Sequence, residues 1–446
     1  MHFIDEFAFI AKNYLDTIGE NPVYPSKNSL EKLKELDVPL QEKSIDAVEV
    51  FHLLNKFGSP ATVKSTGGRY YGFVTGGSLP AAMSAKLLST VWDQNAALTV
   101  MSPIASALEF IAGKWLIEIF NLPAGCSFGF VTGDTMANFT ALAAARRYVL
   151  KNEGWNVESK GLFNAPEIKV IVGDEVHISV LKALNMLGLG RDRIIRVPVD
   201  EQGKIIVDKI PVSDEPTIIC AQSGNVNSGA FDDVEMVCKA KGKNTWVHVD
   251  AAFGLWAAAS SQKKYLVKGV EHADSWATDA HKWLNVPYDC GIVFTRDKES
   301  SIAAISASSA AYIPANTVRE PFQYVPEMSR QARAIPVWAA LKSLGKKGLA
   351  ALIEKNCAQA KQFANALIKS GFTILNDVVL NQVLVYFGDA DKTNSIIRNI
   401  QDEGVCWCGG TVWKGKPAMR ISVSSWATTD EDIELSIQSI IKHAKA

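Results

Sequence analysis

The sequence predicts an α/β protein with a large, mostly parallel β-sheet and a smaller α+β domain at its C-terminal end. Short, continuously apolar runs alternate with helical patterns over most of the first 300 residues, as strands buried on both faces of a parallel sheet require. These runs lie at residues 127–131, 169–172, 194–197, 217–221 and 246–249. A different mixture of helical and strand patterns follows Pro336, which indicates a second domain.

Three segments follow from these patterns: a helical arm over residues 1–60, the large domain over 61–330 and the small domain over 331–446. In the arm, apolar residues recur at helical spacing in two stretches around a proline-containing link, and such a helical pair is typical of an arm that packs on a partner subunit. The small domain is predicted to hold helices at 337–344, 347–370 and 394–403 and strands at 372–375, 383–387 and 419–424.

Composition excludes several functional classes. The 446 residues carry 46 Lys and Arg against 47 Asp and Glu, so the strongly basic surface that binds a nucleic-acid backbone is not expected. The longest apolar runs are interrupted by Glu109 and Asp250, and the N-terminus lacks the pattern of a signal peptide, so we expect a cytoplasmic protein with no membrane partner. The seven cysteines form no C-x-x-C pair. Cys406 and Cys408 lack further ligands nearby, so no metal site is predicted.

The first chemical motif is Gly133-Asp134-Thr135, which ends a predicted buried strand and opens an alanine-rich helix. The free N–H groups and the dipole of a helix start favour an anion, so this motif predicts a phosphate cradle. It contains no Gly-Lys-[Ser/Thr] sequence and is therefore not a Walker loop. The alternative is that Asp134 or Thr135 only caps the helix.

Two further motifs supply an acid and an amine. Asp250 follows the strand at 246–249, at the carboxyl edge where open α/β sheets bind ligands, and the small Ala251 and Ala252 leave room for a flat ring. Lys282 stands among Trp276, Ala277, Trp283 and Leu284, so we expect desolvation to lower its pKa and make its amine a nucleophile.

Together, the three motifs match the attachments that pyridoxal 5′-phosphate requires. Lys282 would bind the aldehyde covalently, Asp250 would keep the pyridine nitrogen protonated, and the helix start at Asp134 and Thr135 would hold the phosphate.

With these residues the chain resembles the group II pyridoxal-phosphate-dependent amino-acid decarboxylases, the family of aromatic-amino-acid and glutamate decarboxylases. The stretches that carry the resemblance are Ser102-Pro103 with Leu108-Glu109, residues 133–138, His177-Ile178-Ser179 with Lys182-Ala183, Asp250-Ala251-Ala252, His281-Lys282-Trp283, Tyr312, residues 329–333 and residues 420–424. The resemblance implies the aspartate-aminotransferase type of fold (fold type I) and a homodimer with active sites at the subunit interface.

The resemblance also implies roles for individual residues. His177 would stack on the cofactor ring and His281 would lie near the phosphate; Asn227 stands where many relatives have threonine beside the ring. Tyr312, on a loop of small residues, would return a proton after carbon dioxide leaves, since relatives with oxidative aldehyde chemistry tend to carry phenylalanine there. Arg420 resembles an arginine that binds a substrate carboxylate in glutamate-type relatives, although it would equally serve to brace the domains.

The expected reaction is α-decarboxylation of an L-amino acid, with an aromatic substrate favoured and a glutamate-like acid left open by Arg420. An aminotransferase would use the same lysine and aspartate but would require a 2-oxo acid. A carbon–carbon lyase related to the sphingosine-phosphate lyases shares the cofactor motifs, yet those relatives are generally membrane-anchored. A cofactor-binding protein without activity is the alternative of a different class, and it has no need of Tyr312.

Overall fold

The structure, a computed structural model, describes residues 3–306 and 319–446. The helices are α1 (Phe3–Asp16), α2 (Lys27–Glu31), α3 (Ala47–Leu53), α4 (Pro80–Trp92), α5 (Pro103–Ile119), α6 (Asp134–Asn152), α7 (Val157–Lys160), α8 (Ile178–Met186), α9 (Val234–Lys239), α10 (Lys298–Ile305), α11 (Ala334–Lys369), α12 (Ala390–Glu403) and α13 (Asp430–Lys445). The strands are β1 (Ser127–Val131), β2 (Lys169–Gly173), β3 (Ile194–Val197), β4 (Thr217–Gln222), β5 (Thr245–Asp250), β6 (Ser275–Asp279), β7 (Gly291–Thr295), β8 (Thr373–Ile374), β9 (Gln382–Tyr386), β10 (Gly409–Trp413) and β11 (Lys416–Ser422). Within the two described ranges, every helix is too short or too polar to cross a membrane.

The large sheet has seven strands in the order β1-β7-β6-β5-β4-β2-β3. The pairs from β3 to β6 are parallel, whereas β7 runs antiparallel to both β6 and β1. Because β7 is antiparallel to both of its neighbours, β1 runs in the same direction as β5 and β6. The carboxyl ends of these three strands therefore lie at one edge of the sheet. The predicted α/β fold of type I is confirmed.

Both faces of the large sheet are buried, which explains why its strands are apolar without alternation. Successive side chains of a strand point to opposite faces. In β2, Val170 and Val172 join the core formed with α6 and α8, while Ile171 between them joins the core that contains Trp256 and Trp276. The five predicted strands coincide with β1 to β5 to within one residue at each end.

The small sheet has four antiparallel strands in the order β10-β11-β9-β8. The three predicted strands correspond to β8, β9 and β11, whereas β10 and α13 were not predicted from the sequence. Helix α11 connects the two sheets: Val337 packs in the core of the large sheet and Phe363 in that of the small one, with a break at Gly345, whose φ is 61°. Because α11 contributes residues to both cores, the domain boundary proposed at residue 330 stays a prediction.

The N-terminal segment is built differently from the rest of the chain. Helices α1 and α3 form as the sequence predicts and meet through an edge-on contact of Phe7 and Phe51, with ring centres 6.0 Å apart. Every residue of α1 is half-buried or exposed, and Phe9 is 67% exposed. The apolar side chains of α1 are therefore only partly covered by the rest of the described chain.

Candidate active site

Lys282 lies in the turn that follows β6, at the carboxyl edge of the large sheet. Its Nζ is 3.0 Å from Asp279 Oδ2, and 18% of its side chain is exposed. Burial by itself lowers the pKa of Lys282, but the neighbouring acidic groups, with Asp279 the strongest of them, outweigh it and raise the pKa above the ordinary value. The expectation of a lowered pKa was wrong in direction, because the sequence does not show that three carboxyl groups converge on this lysine.

A backbone segment that the sequence analysis overlooked covers the turn at Lys282. A Cβ atom on Gly76 would lie 1.7 Å from the Lys282 carbonyl oxygen, so only glycine fits there. The N–H of Gly77 donates to Asn285 Oδ1 at 2.7 Å, which ties the segment to the same turn. Just before it, Phe73 and Val74 have φ of 54° and 56°, a strained conformation for such residues that concentrates at functional sites. The Gly76-Gly77 pair was the signal available in the sequence.

Asp250 ends β5, on the strand adjacent to β6. It is 3% exposed; its Oδ1 accepts a hydrogen bond from the N–H of Ala252 at 3.3 Å, and its Oδ2 lies 3.5 Å from Ser179 Oγ. The buried Ala251 and Ala252 follow it, as the sequence predicts for a position beside a flat ring.

Asp134 is the first residue of α6, and Gly133 is its N-cap. Its carboxyl group does not cap the helix: Oδ2 accepts from Asn138 Nδ2 at 2.8 Å and contacts Ser179 Oγ at 3.0 Å, while the buried Oδ1 has no partner among the described residues. Burial, and then the charges of Asp250 and Asp279, raise the pKa of Asp134 well above its usual range. The helix start thus remains open to an anion, with half-buried Thr135 beside it.

His177 is the N-cap of α8, and its Nδ1 accepts the Ser179 N–H at 3.3 Å. Ligand atoms of His177, Asp134 and Asp250 all lie within 4.8 Å of one another. Burial lowers the pKa of His177, although the charge of Asp250 opposes this shift, so the ring is neutral near pH 7. Nothing in the sequence outside the resemblance marked this histidine.

His281 lies on the other side of the lysine turn. Its Nδ1 accepts from the N–H of Cys290 at 3.1 Å, its Nε2 is 3.5 Å from Asp279 Oδ2, and its ring lies against Tyr288 with centres 4.5 Å apart. Burial lowers the pKa of His281, and the charge of Asp279 partly offsets this effect. The ring therefore bridges Asp279 and Tyr288, a residue that the sequence analysis did not select.

Asn227 and Arg420 come together where the loop after β4 meets the small sheet. Arg420, on β11, donates from Nη1 to the carbonyl of Val226 at 3.2 Å and to Asn227 Oδ1 at 3.4 Å. Thr411 of β10 donates to the same Asn227 oxygen at 2.9 Å. Burial lowers the pKa of the Arg420 guanidinium, which stays charged at neutral pH. These hydrogen bonds link the loop after β4 to the small sheet.

Tyr312, the remaining predicted site residue, lies outside the described residues.

The residues fit pyridoxal 5′-phosphate. A lysine amine, a buried carboxylate at a strand end and an open helix start are the three donors that this cofactor needs, and all three lie at one edge of the sheet. Asp134 Oδ1 and Asp279 Oδ1 are buried and have no hydrogen-bond partner among the described residues, as is typical of groups at a ligand site.

Comparison with known families agrees with this geometry. The family described as "Pyridoxal-dependent decarboxylase conserved domain" matches residues 35–387, most of the chain. The chain belongs to this family. It is a pyridoxal-phosphate-dependent carboxy-lyase, as the three motifs and the resemblance predicted.

Curated relatives and solved structures extend the match to nearly the whole chain. An aromatic-L-amino-acid decarboxylase of Bacillus atrophaeus is 24% identical over 451 residues, covering 96% of this chain and 92% of that protein. An L-2,4-diaminobutyrate decarboxylase of Rhizobium meliloti is 28% identical over 391 residues, covering 82% of this chain and 75% of that protein. The crystal structure of Oryza sativa TDC with PLP and tryptamine superposes with a TM-score of 0.90 at 19% identity, covering 99% of this chain and 96% of that one, which shows the shared fold.

Proposed function

We propose that this decarboxylase acts on an L-amino acid with an aromatic side chain and releases the amine and carbon dioxide, with Lys282, Asp250 and the start of α6 as its cofactor attachments. The observation that carries the proposal is the meeting of Lys282 with three carboxyl groups at the carboxyl edge of the sheet. An isolated surface lysine has no such surroundings.

Each proposed attachment has a distinct task. When bound, pyridoxal 5′-phosphate supplies an electron sink for the electron pair that the departing carboxylate leaves. The Asp250 carboxylate supplies the negative charge that holds a proton on a ring nitrogen, and Lys282 supplies the attaching amine. Neutral His177 offers a flat ring face beside Asp250 without adding positive charge.

Support for an aromatic substrate comes from an aromatic cluster next to Arg420, formed by Tyr70, Phe73 and Trp407. Tyr70 stacks on Trp407 with ring centres 5.1 Å apart, and Phe73 lies 5.4 Å from the same ring. Burial raises the pKa of Tyr70 to about 12, the charges of Tyr288 and Arg420 acting in opposite directions, so Tyr70 is a neutral phenol. Phe73 is 64% exposed, and such a surface suits a second aromatic ring.

Arg420 supports an acidic substrate as the second candidate. It is a charged guanidinium next to the aromatic cluster, but its bonds to Val226 and Asn227 already use it as a brace. Holding the α-carboxylate that departs would stabilise the ground state more than the transition state, so Arg420 is suited only to a distal carboxylate. The names of the relatives include both aromatic and acidic amino-acid decarboxylases.

Return of the proton is assigned to Tyr312, from the resemblance alone. In air, Tyr312→Phe should lower amine formation and, with dioxygen as the oxidant and water as co-reactant, release aldehyde, ammonia and hydrogen peroxide in its place. Unchanged amine formation would remove Tyr312 from the proposal.

We also propose a cytoplasmic homodimer with an amino-acid substrate as its small-molecule partner. Large apolar side chains stay exposed in the first hundred residues, such as Phe9 at 67% and Val100 at 75%, and a second copy would cover them. All seven cysteines are free thiols, which suits a reducing compartment. Light scattering of the purified protein tests the dimer directly: a monomer at micromolar concentration would contradict it.

The deciding experiment incubates the cofactor-loaded protein with each common L-amino acid, without keto acid, and follows carbon dioxide and amine by mass spectrometry. We expect one aromatic amine with stoichiometric carbon dioxide. An amine from an acidic amino acid would move the substrate to the second candidate. Product that appears only after addition of 2-oxoglutarate or pyruvate would indicate an aminotransferase reaction instead.

A further inference from the structure

The buried polar chain that begins at Trp246 runs to the cofactor edge and sets a direction for each hydrogen bond. The indole N–H of Trp246 can only donate, and it donates to Ser275 Oγ at 2.8 Å. We assign the ring hydrogen of His248 to Nε2, so that Ser275 gives its own hydrogen to His248 Nδ1 at 2.9 Å and His248 donates from Nε2 to Asn138 Oδ1 at 2.7 Å. Burial lowers the pKa of His248 to about 3, so this histidine carries a single ring hydrogen.

The same chain fixes the amide of Asn138. With Oδ1 occupied by His248, Nδ2 points at Asp134 Oδ2 at 2.8 Å and at Ser179 Oγ at 3.2 Å. Turning the amide over would place two acceptor oxygens, those of Asn138 and Asp134, at 2.8 Å, a contact that itself requires a hydrogen on Asp134.

The hydroxyl group of Ser179 has one hydrogen but more than one hydrogen-bond acceptor close to it. Its Oγ lies 2.8 Å from His177 Nδ1, 3.0 Å from Asp134 Oδ2 and 3.5 Å from Asp250 Oδ2. We assign the ring hydrogen of His177 to Nε2, so Nδ1 is an acceptor; the N–H of Ser179, 3.3 Å from Nδ1, favours this tautomer. One hydroxyl hydrogen cannot serve both close contacts, so the arrangement is one hydrogen short unless a carboxyl group holds it.

We propose that Asp134 is a neutral carboxylic acid that donates its hydrogen to Ser179, that Ser179 donates in turn to His177 Nδ1, and that this neutrality admits a phosphate at the start of α6. Each short hydrogen-bond contact of Ser179 then contains one hydrogen. This inference rests on the proposed cofactor site.

The charges around Asp134 agree with a neutral acid. Asp250 faces it from β5 and Asp279 from the end of β6, both negative; Lys282 is the nearby cation, and His177 and His248 are neutral. A third carboxylate together with a phosphate dianion would leave several negative charges against one lysine. A protonated Asp134 removes one of them and turns its carboxyl group into a donor.

Infrared spectroscopy of the cofactor-free protein tests the protonation directly. At about pH 8, we expect the carbonyl stretch of a protonated carboxylic acid, absent in Asp134→Asn and retained in Asp232→Asn, a control at another buried carboxyl group. Absence of that band from the wild-type protein would overturn the proposal. Neither outcome depends on decarboxylation, so failure of the substrate assay would leave this result standing.

Cofactor binding tests the consequence. Above the pKa of Asp134, wild-type affinity for pyridoxal 5′-phosphate should fall by about tenfold per pH unit relative to Asp134→Asn, which mimics the neutral acid and cannot ionise. Pyridoxal, which lacks the phosphate, should show no such difference. The same pH dependence in the wild type and in Asp134→Asn, or the same difference with pyridoxal, would overturn the proposal.

Nitrogen NMR of His177 tests the relay itself. Ser179→Ala should remove the hydrogen bond to Nδ1 and shift that nitrogen signal, whereas Ser300→Ala, at a buried serine on α10, should not. An unchanged His177 signal in Ser179→Ala would exclude a hydroxyl donor at Nδ1.

Discussion

Two buried charged clusters, one against β1 and one at the carboxyl edge of the large sheet, differ in how completely their carboxylate oxygens are matched. In the first, Glu109 of α5 stands between two arginines: Oε1 is 3.0 Å from Arg319 Nη1 and Oε2 is 2.6 Å from Arg330 Nη2. The arginines also donate to the carbonyls of Phe128 and Phe130 on β1. Each carboxylate oxygen of this cluster therefore has a cationic partner.

In the second cluster, at the carboxyl edge, the carboxylate oxygens are not all paired. Asp134, Asp250 and Asp279 surround one lysine, and two of their buried oxygens have no partner among residues 3–306 and 319–446. In the first cluster both carboxylate oxygens are paired, and Arg330 Nε is its one buried atom without a partner among the described residues. Paired carboxylates are typical of a cluster that holds elements together, whereas unmatched buried carboxylate oxygens mark a place where a ligand binds. The comparison predicts that substitutions in the first cluster change stability and those in the second change chemistry.

The largest expected effect is on catalysis. Lys282→Ala should lower kcat/KM at least about a thousandfold, because it removes the group that forms a covalent bond, and cofactor absorbance should be lost with it. Lys282→Arg keeps the positive charge and should be equally inactive. Lys263→Met, at a buried lysine that donates to the carbonyl of Val379, should keep its activity. Activity in Lys282→Arg would contradict the nucleophile assignment.

The second-largest expected effect is on stability, in the first cluster around Glu109. Glu109→Ala leaves two arginines without their anion and should lower the free energy of unfolding by about 3–5 kcal/mol, measured by urea denaturation. Glu118→Ala on the same helix breaks only the exposed pair with Lys346 and should cost less than about 1 kcal/mol. Equal losses in the two variants would contradict the structural role of the Glu109 cluster.

Asp232 sharpens the comparison, because it is a buried carboxyl group held by backbone donors, the N–H groups of Ile205 and Gln222. Burial raises its pKa from 3.8 to about 6, although those donors oppose the shift. Since the folded state then binds more protons between about pH 4 and pH 6, stability should fall as pH rises through this window, by up to about 3 kcal/mol. Urea denaturation across the window should show a flatter pH profile for Asp232→Asn. A profile identical to that of the wild type would reject this pKa.

The smallest expected effect is a shift in a pH profile. Asp279→Asn removes the carboxylate 3.0 Å from Lys282, so the pKa of the lysine should fall and attachment of the cofactor to the free protein should reach its full rate about 1 pH unit lower or more. Asp274→Asn, at the opposite end of β6 where Asp274 pairs with Lys241, is the matched control and should leave that profile unchanged. The idea fails if both variants shift equally.

Much of the fold was predictable because burial on both faces of a parallel sheet requires continuous apolar runs. That requirement located β1 to β5, and with them the strand end that carries Asp250. Strand β10 was missed because it is exposed along much of its length and contains two glycines, Gly409 and Gly410, so it has neither continuous nor alternating apolar character. Helix α13 has only a narrow buried stripe among many charged residues.

The sequence predicted individual residues of the site, but it did not predict how their charges would interact. Lys282, Asp250 and the start of α6 each follow an apolar strand, a local pattern that a sequence displays. Ser179, Asn138 and His248 carry no such pattern, and their hydrogen bonds join residues far apart in the chain. The raised pKa of Lys282 depends on Asp279, three residues before it, and on the acidic groups of Asp134 on α6 and Asp250 on β5, which reach the lysine only in the assembled sheet.

The sequence by itself determined the α/β class, the cofactor and the residues that end the central strands, because hydrophobic periodicity and motif spacing are local properties of the chain. Tertiary structure decided which charges meet. Strand order brings β5 next to β6, and the direction of β1 brings α6 to the same edge, so three carboxyl groups and one lysine share a buried space. Electrostatic interactions depend on distance through space and on burial, and neither can be read from separation along the chain.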